Sequence, residues 1–138
     1  GAVVMAVRWN DSAVLAKVRA GAMLGVMRAI IEVEQEAVRL IMSPPKTGRI
    51  YRQRGVERQA SAPGEAPANQ TGRLAGSRTI DPDAARVAAR LTFRTAYAQH
   101  LEFGTQKMEP RPFARRAFAT KRDEVRTAIA DEIRKALA

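Results

Sequence analysis

The residue types able to do chemistry are few and scattered. His100 is the single histidine of the chain. Glu102 stands two positions on, a spacing that turns the two side chains to different sides of a helix, so they form no acid–base dyad. Asp81 and Asp83 flank Pro82 at a turn, and two carboxylates fall short of the cluster that a metal-dependent nuclease gathers. Gly64 and Gly72 are too isolated to cradle a phosphate, and no H-E-x-x-H, P-loop or G-x-S-x-G elbow is present. Pro63-Gly64-Glu65 reads as a mobile turn tip rather than an acidic catalytic loop. No residue is assigned to catalysis, a metal or a cofactor, and the expectation is a protein that is not an enzyme.

What remains is arginine. The 138 residues carry 24 Lys+Arg against 14 Asp+Glu, a formal net charge of +10. Guanidinium groups suit phosphate and carboxylate contacts, so the excess points to nucleic acid or acidic protein surfaces. An Ala- and Arg-rich composition drawn from a GC-rich genome accounts for the same excess equally well. Arg49, Arg52, Arg54 and Arg58, with Tyr51 among them, are the candidate interface residues of one stretch. Arg86, Arg90 and Arg94 are candidates to face DNA or a lumen from another.

The chain has the length of one domain with a real core. It has no cysteine, which excludes disulfides, thiol chemistry and cysteine-ligated zinc. No apolar run approaches the ~18 residues of a membrane span. The opening GAVVMAVRW is too short for a signal peptide and lacks a basic leader. The expectation is a soluble protein made inside the cell, with no membrane partner.

Periodicity supplies the elements. Asn10-Asp11-Ser12 offer N-caps, and apolar residues at three- and four-residue spacing predict a long helix over 10–42. Gly21 and Gly25 invite a bend or an early break there, and Ser43-Pro44-Pro45 stops the helix. Residues 46–70 are polar, basic and broken by Pro63, Gly64 and Pro67. They read as an extended, mobile arm with strand character around Arg49 to Gln53 and few apolar anchors.

Over 77–95 the period is two. Ala85, Val87, Ala89, Leu91 and Phe93 alternate with Arg86, Ala88, Arg90, Thr92 and Arg94, which predicts a half-buried strand with a basic outer face. A turn at Asp81-Pro82-Asp83 would give it an antiparallel partner at Arg78 to Asp81. Residues 96–138 form a C-terminal helical region. A short helix from Tyr97 to Phe103 is stopped by Gly104, and a closing helix opens near Pro112 and runs to about Ala136. Leu101, Phe103 and Phe113 are the expected core anchors. The fold class is α+β: a long N-terminal helix and a C-terminal helix packed on a small antiparallel sheet, with a long extended arm.

The order Y-A-x-x-L-E-F-G-T (Tyr97 to Thr105) followed by R-P-F-x-x-x-A (Arg111 to Ala117) resembles the C-terminal half of the neck and tail-completion proteins of long-tailed bacteriophages. T-G-R-x-Y (Thr47 to Tyr51), A-S-A-P-G-E-x-P-A (Ala60 to Ala68) and T-G-x-L (Thr71 to Leu74) resemble the same family's other blocks, in its order, over roughly Pro44 to Leu137. The resemblance implies a structural virion protein, assembled in the bacterial host cytoplasm, that joins the DNA-filled head to the tail. It implies a ring of identical subunits coaxial with the portal and tail tube. Adjacent connector and tail proteins would be its neighbours, with non-specific contact to packaged DNA. The stretch before Asn10 has no counterpart in that family, and Trp9 reads as an added anchor or interface residue.

An arm that cannot bury itself has a use if it packs on a neighbouring subunit, where contacts offset an ordering cost of about 1–2 kcal/mol per residue. The competing expectation is a free basic DNA-binding protein, its Arg-rich arm gripping phosphate while Tyr51 stacks on a base. Only one aromatic is interleaved with the arm's arginines, and no DNA-reading motif accompanies them.

Overall fold

A computed structural model describes residues 1–7, 10–43, 46–67 and 72–138, the side chains of Tyr51, Gln53 and Arg58 excepted. Trp9, the Pro44-Pro45 stop and Thr71 therefore lie outside the described residues. The architecture is α+β, with a long N-terminal helix, a C-terminal helix and small antiparallel pairs of strands.

Helix α1 runs from Asp11 to Met42. The Asn10 side chain accepts a hydrogen bond from the Ala13 N–H at 3.1 Å, satisfying one of the donors a helix start leaves open. Ser43 closes the helix in an extended conformation (φ −70°, ψ 122°), as a residue before proline must. Gly21 and Gly25 do not break it. They let α5 (Arg122–Leu137) lie against it, because a Cβ at Gly25 would stand 2.5 Å from Ile129 Cα, and one at Gly21 would stand 2.8 Å from Ala136 Cβ. Arg28 and Glu132 add an ion pair at 2.9 Å beside the crossing.

Among the described residues the strands form two separate ribbons. In the arm, β1 (Ile50–Gln53) pairs antiparallel with β2 (Val56–Gln59) through a two-residue turn at Arg54 and Gly55, whose φ values are 53° and 77°. Both positive angles suit the tight turn that matches the twist of paired strands. After a single-turn helix α2 (Arg73–Gly76), β3 (Arg78–Asp83) pairs with β4 (Ala88–Phe93). The expected turn at Asp81-Pro82-Asp83 is displaced, since all three residues lie in β3, Pro82 opposite Ala89. The chain reverses at Ala84–Val87, and Arg86 belongs to that turn rather than to the strand. Pairing Ile80 with Leu91, whose side chain packs on the core, outweighs the local turn preference of Asp-Pro-Asp.

Helix α3 (Ala98–Phe103) ends at Gly104 with φ 76°, where a Cβ would stand 2.7 Å from the Met108 carbonyl. The closing helix is two helices rather than one: α4 (Ala114–Thr120) and α5 meet at Lys121. The core gathers where α1, α4, β4 and the chain around residue 66 converge, on Val33, Ile41, Leu74, Phe113 and Ala117. Phe93 meets Phe113 edge to face at 4.9 Å, the geometry favoured by ring quadrupoles.

Candidate functional site

The strand character expected around Arg49 to Gln53 is present as β1, and over residues 46–67 the arm is hydrogen-bonded to itself and to the domain. Its distal part, β1 and β2, pairs with itself, and Ile50 and Val56 stay exposed. Its base is fastened. The Gly48 N–H donates to the Ala60 carbonyl at 2.9 Å, and the Ala60 N–H donates to the Arg49 carbonyl at 3.0 Å. Only glycine fits at 48, because a Cβ there would lie 2.5 Å from the Ser61 carbonyl oxygen.

Glu65 holds the same junction from the other side. Its carboxylate accepts from the Thr47 hydroxyl, the Thr47 N–H at 3.0 Å and the Ala62 N–H at 2.8 Å. Those donors, the Thr47 hydroxyl foremost, hold its carboxyl down at about 2. Gly64 (φ 82°) donates to the Pro110 carbonyl at 3.1 Å and accepts from the Arg116 guanidinium at 2.5 Å. Lys46 donates to the Leu40 carbonyl at 2.8 Å, and burial lowers the pKa of its amine. Pro63-Gly64-Glu65 is thus a pinned corner, and Ser61, Ala66 and Pro67 are buried.

These contacts join segments far apart in sequence: Thr47-Gly48, Ala60 to Pro67, and Pro110 to Arg116. The second clasp is Glu102. Its buried carboxylate accepts from the N–H groups of Phe113 (2.9 Å), Ala114 (3.1 Å) and Arg115 (2.9 Å), the donors that open α4. His100, on the same short helix, is exposed.

Of the candidate arm residues, Arg49 and Arg54 are exposed, and Arg52 is exposed with Glu57 at 3.8 Å across the ribbon. Tyr51 and Arg58 occupy facing positions of β1 and β2, and their side chains lie outside the description. Arg86, Arg90 and Arg94 are all exposed, but the expected uniformly basic face is mixed. Asp83 lies 3.7 Å from Arg86 and Asp81 lies 3.6 Å from Arg94. Among the core anchors, Phe113 is buried and Leu101 is half-buried against the core. Phe103 is not a core residue, being 65% exposed with the Arg115 guanidinium 4.8 Å over its ring. Glu102 takes the inward position at the end of α3, so its neighbour turns outward.

Sequence reasoning missed Glu65 and Glu102 as clasps. Both serve backbone N–H groups in other segments, and no side-chain pattern signals that. Among the described residues, no group of three or more His, Asp or Glu side chains could hold a metal ion, and no helix is long and apolar enough to cross a membrane. No protein-family model, no curated protein and no solved structure matches the chain.

Proposed function

We propose that this protein is a structural subunit of the head–tail joint of a long-tailed phage or a related particle, acting as a repeated unit of a connector, neck or tail-completion ring. The observation that carries the reading is the hairpin of β1 and β2. It is hydrogen-bonded at its base, exposes Ile50, Val56, Arg52 and Arg54, and pairs its strands with each other. A small domain gains little stability from such a projection. A subunit that must grip its neighbour gains a preformed edge and a low ordering cost. The motif order from Thr47 to Ala117 supports the same reading, and three of its blocks are joined at the base of the hairpin through Thr47, Gly64 with Glu65, and Arg116.

The experiment replaces Ile50 to Gln59 by Asn-Gly in the particle that encodes the chain. Arg49 and Ala60 are already hydrogen-bonded neighbours, so a two-residue turn closes the gap. Expected are filled heads and separate tails, as in a deletion of the whole gene, from a protein whose melting temperature is unchanged. Normal infectious particles overturn the reading. Tight, salt-sensitive DNA binding by the isolated monomer would support the free DNA-binding alternative instead.

A further inference from the structure

Helix α1 presents small or apolar residues on two sides. On one, Gly21 and Gly25 are buried against α5. On the other, Ala20, Leu24, Met27 and Ile31 follow one another at offsets of four, three and four, the spacing of a single helical face. That face is open to solvent, with Leu24 61% and Ile31 43% exposed. Beside it stands the turn between β3 and β4, which Arg19 holds to the helix by donating from Nη2 to the Ala85 carbonyl at 2.8 Å. Helix and turn enclose a groove of about 520 Å³ lined by Arg19, Ala20, Met23, Leu24, Met27 and Ala84, with Arg19 its one charged residue. Its two methionines are flexible and polarizable, and such side chains adapt to a partner's surface.

The charge along this part of α1 has one sign. From Ser12 to Ile31 the helix carries Lys17, Arg19 and Arg28 and no acidic residue. Arg28 is paired with Glu132 at 2.9 Å, so Lys17 and Arg19 set the local charge. The flanking carboxylates Asp83, Glu32 and Glu34 are matched by Arg86, Lys121 and Arg78 at 3.7, 3.8 and 2.7 Å.

We infer that this groove receives an acidic amphipathic helix of a partner protein. The stripe from Ala20 to Ile31 spans three turns, ~16 Å, a bed on which such a helix lays its apolar face. Carboxylates on the borders of that helix would meet Lys17 and Arg19. A second copy is the wrong occupant, because pairing the two stripes would set Lys17 and Arg19 against Lys17 and Arg19 in a chain of net charge +10. A basic amphipathic helix also suits an anionic bilayer, but the β3–β4 turn makes this surface concave, a shape that takes a rod rather than a plane. The inference goes beyond the joining role proposed above and does not depend on it, since it concerns one binary contact in solution.

The probes are a synthetic helical peptide with leucine at every third or fourth position and glutamate between, its twin with lysine for glutamate, and vesicles of anionic phosphatidylglycerol. The glutamate peptide is expected to bind the chain at least tenfold more tightly than it binds Leu24→Gln, a change that leaves charge and melting temperature unaltered. Arg52→Ala with Arg54→Ala, on the hairpin, should keep the affinity of the unaltered chain. Equal affinity for the chain and Leu24→Gln, or loss of binding in the hairpin variant, means attraction by overall charge and overturns the inference. Tighter binding of the lysine peptide overturns it too, as does vesicle binding that Leu24→Gln abolishes. Because the chain has no cysteine, Ala20→Cys gives a second reading that does not need Leu24→Gln to fold. A glutamate peptide carrying one cysteine should form a mixed disulfide with it at least tenfold faster than with Val56→Cys, and equal rates overturn the inference.

Discussion

Glu102 and Arg115 are joined three times. The Arg115 N–H and Nε each donate to Glu102 Oε1 at 2.9 Å, and its Nη2 donates to the Glu102 carbonyl at 2.6 Å. One carboxylate thereby fixes the end of α3, the start of α4 and the guanidinium that covers Phe103. The connector between the two helices is held along its length as well, with the Thr105 N–H donating to the Met108 carbonyl at 2.9 Å and the Arg111 N–H to the Leu101 carbonyl at 2.6 Å.

Burial pushes the Glu102 carboxyl up, but the N–H groups of Phe113, Arg115 and Ala114 and the Arg115 guanidinium together outweigh it and hold the group below its ordinary value. A depressed folded pKa contributes stability that is present above the unfolded value of about 4.3 and lost as pH falls through the folded one. Glu102→Gln should lower stability at pH 7 by about 1–3 kcal/mol, the cost of weakened or unmade buried hydrogen bonds. It should also flatten the loss on acidification below about pH 4.3. Thermal melts at pH 7 and through that acid range test both, and a parallel decline of the two proteins would show that Glu102 is not the titrating group.

Gly25→Ala should destabilise although alanine favours helix by up to ~1 kcal/mol. The new methyl would meet the backbone of Ile129 at 2.5 Å, and overpacking of that kind costs about 1–3 kcal/mol. Gly76→Ala is the matched control, since a Cβ there meets nothing within 4 Å. Denaturant midpoints should separate the two variants in sign or size.

Phe113→Ala should cost about 3–5 kcal/mol, because it empties a site under Phe93 and Ala117 in the core. Phe103→Ala removes an exposed ring and should move the melting temperature little. Equal effects from the two would mean that Phe103 is covered in solution.

Removing Ala60 to Pro67 should unfold or severely destabilise the chain, since Ala66 and Pro67 are buried and Glu65 carries three hydrogen bonds. Arg52→Ala with Arg54→Ala, on the exposed ribbon, should leave the melt unchanged. Calorimetry of both variants distinguishes the fastened base of the arm from its free end.

The legible parts of this fold are those that rest on repetition. The spacing of Val14, Val18, Val26, Ile30 and Val33 marks α1, and the alternation through Leu91 and Phe93 marks β4. Asn10 and Gly104 announce their helix ends by local chemistry alone. The arm was misread in part because composition counts apolar residues, whereas Glu65 and Gly48 fasten it through backbone groups. Gly21 and Gly25 read as weak points of an isolated helix and turn out to be where a second helix lies. Phe103 was misread because the inward position at the end of α3 belongs to a carboxylate, which no hydrophobic pattern would place there. Thr47-Gly48, Pro63 to Glu65 and Arg111 to Phe113 were legible as blocks, but their meeting at one junction was not.

The fastening of the arm has a mechanical consequence. Each strand of the hairpin is four residues long, giving a lever of ~13 Å with its fulcrum at Gly48 and Ala60. Tension at the tip passes through Gly64 to Pro110 and Arg116, and from Arg116 into α4. Lys46 ties the other strand to the last turns of α1 through Leu40. A pull on the hairpin is therefore passed to α1 through Lys46 and Leu40 and to α4 through Gly64 and Arg116 at once.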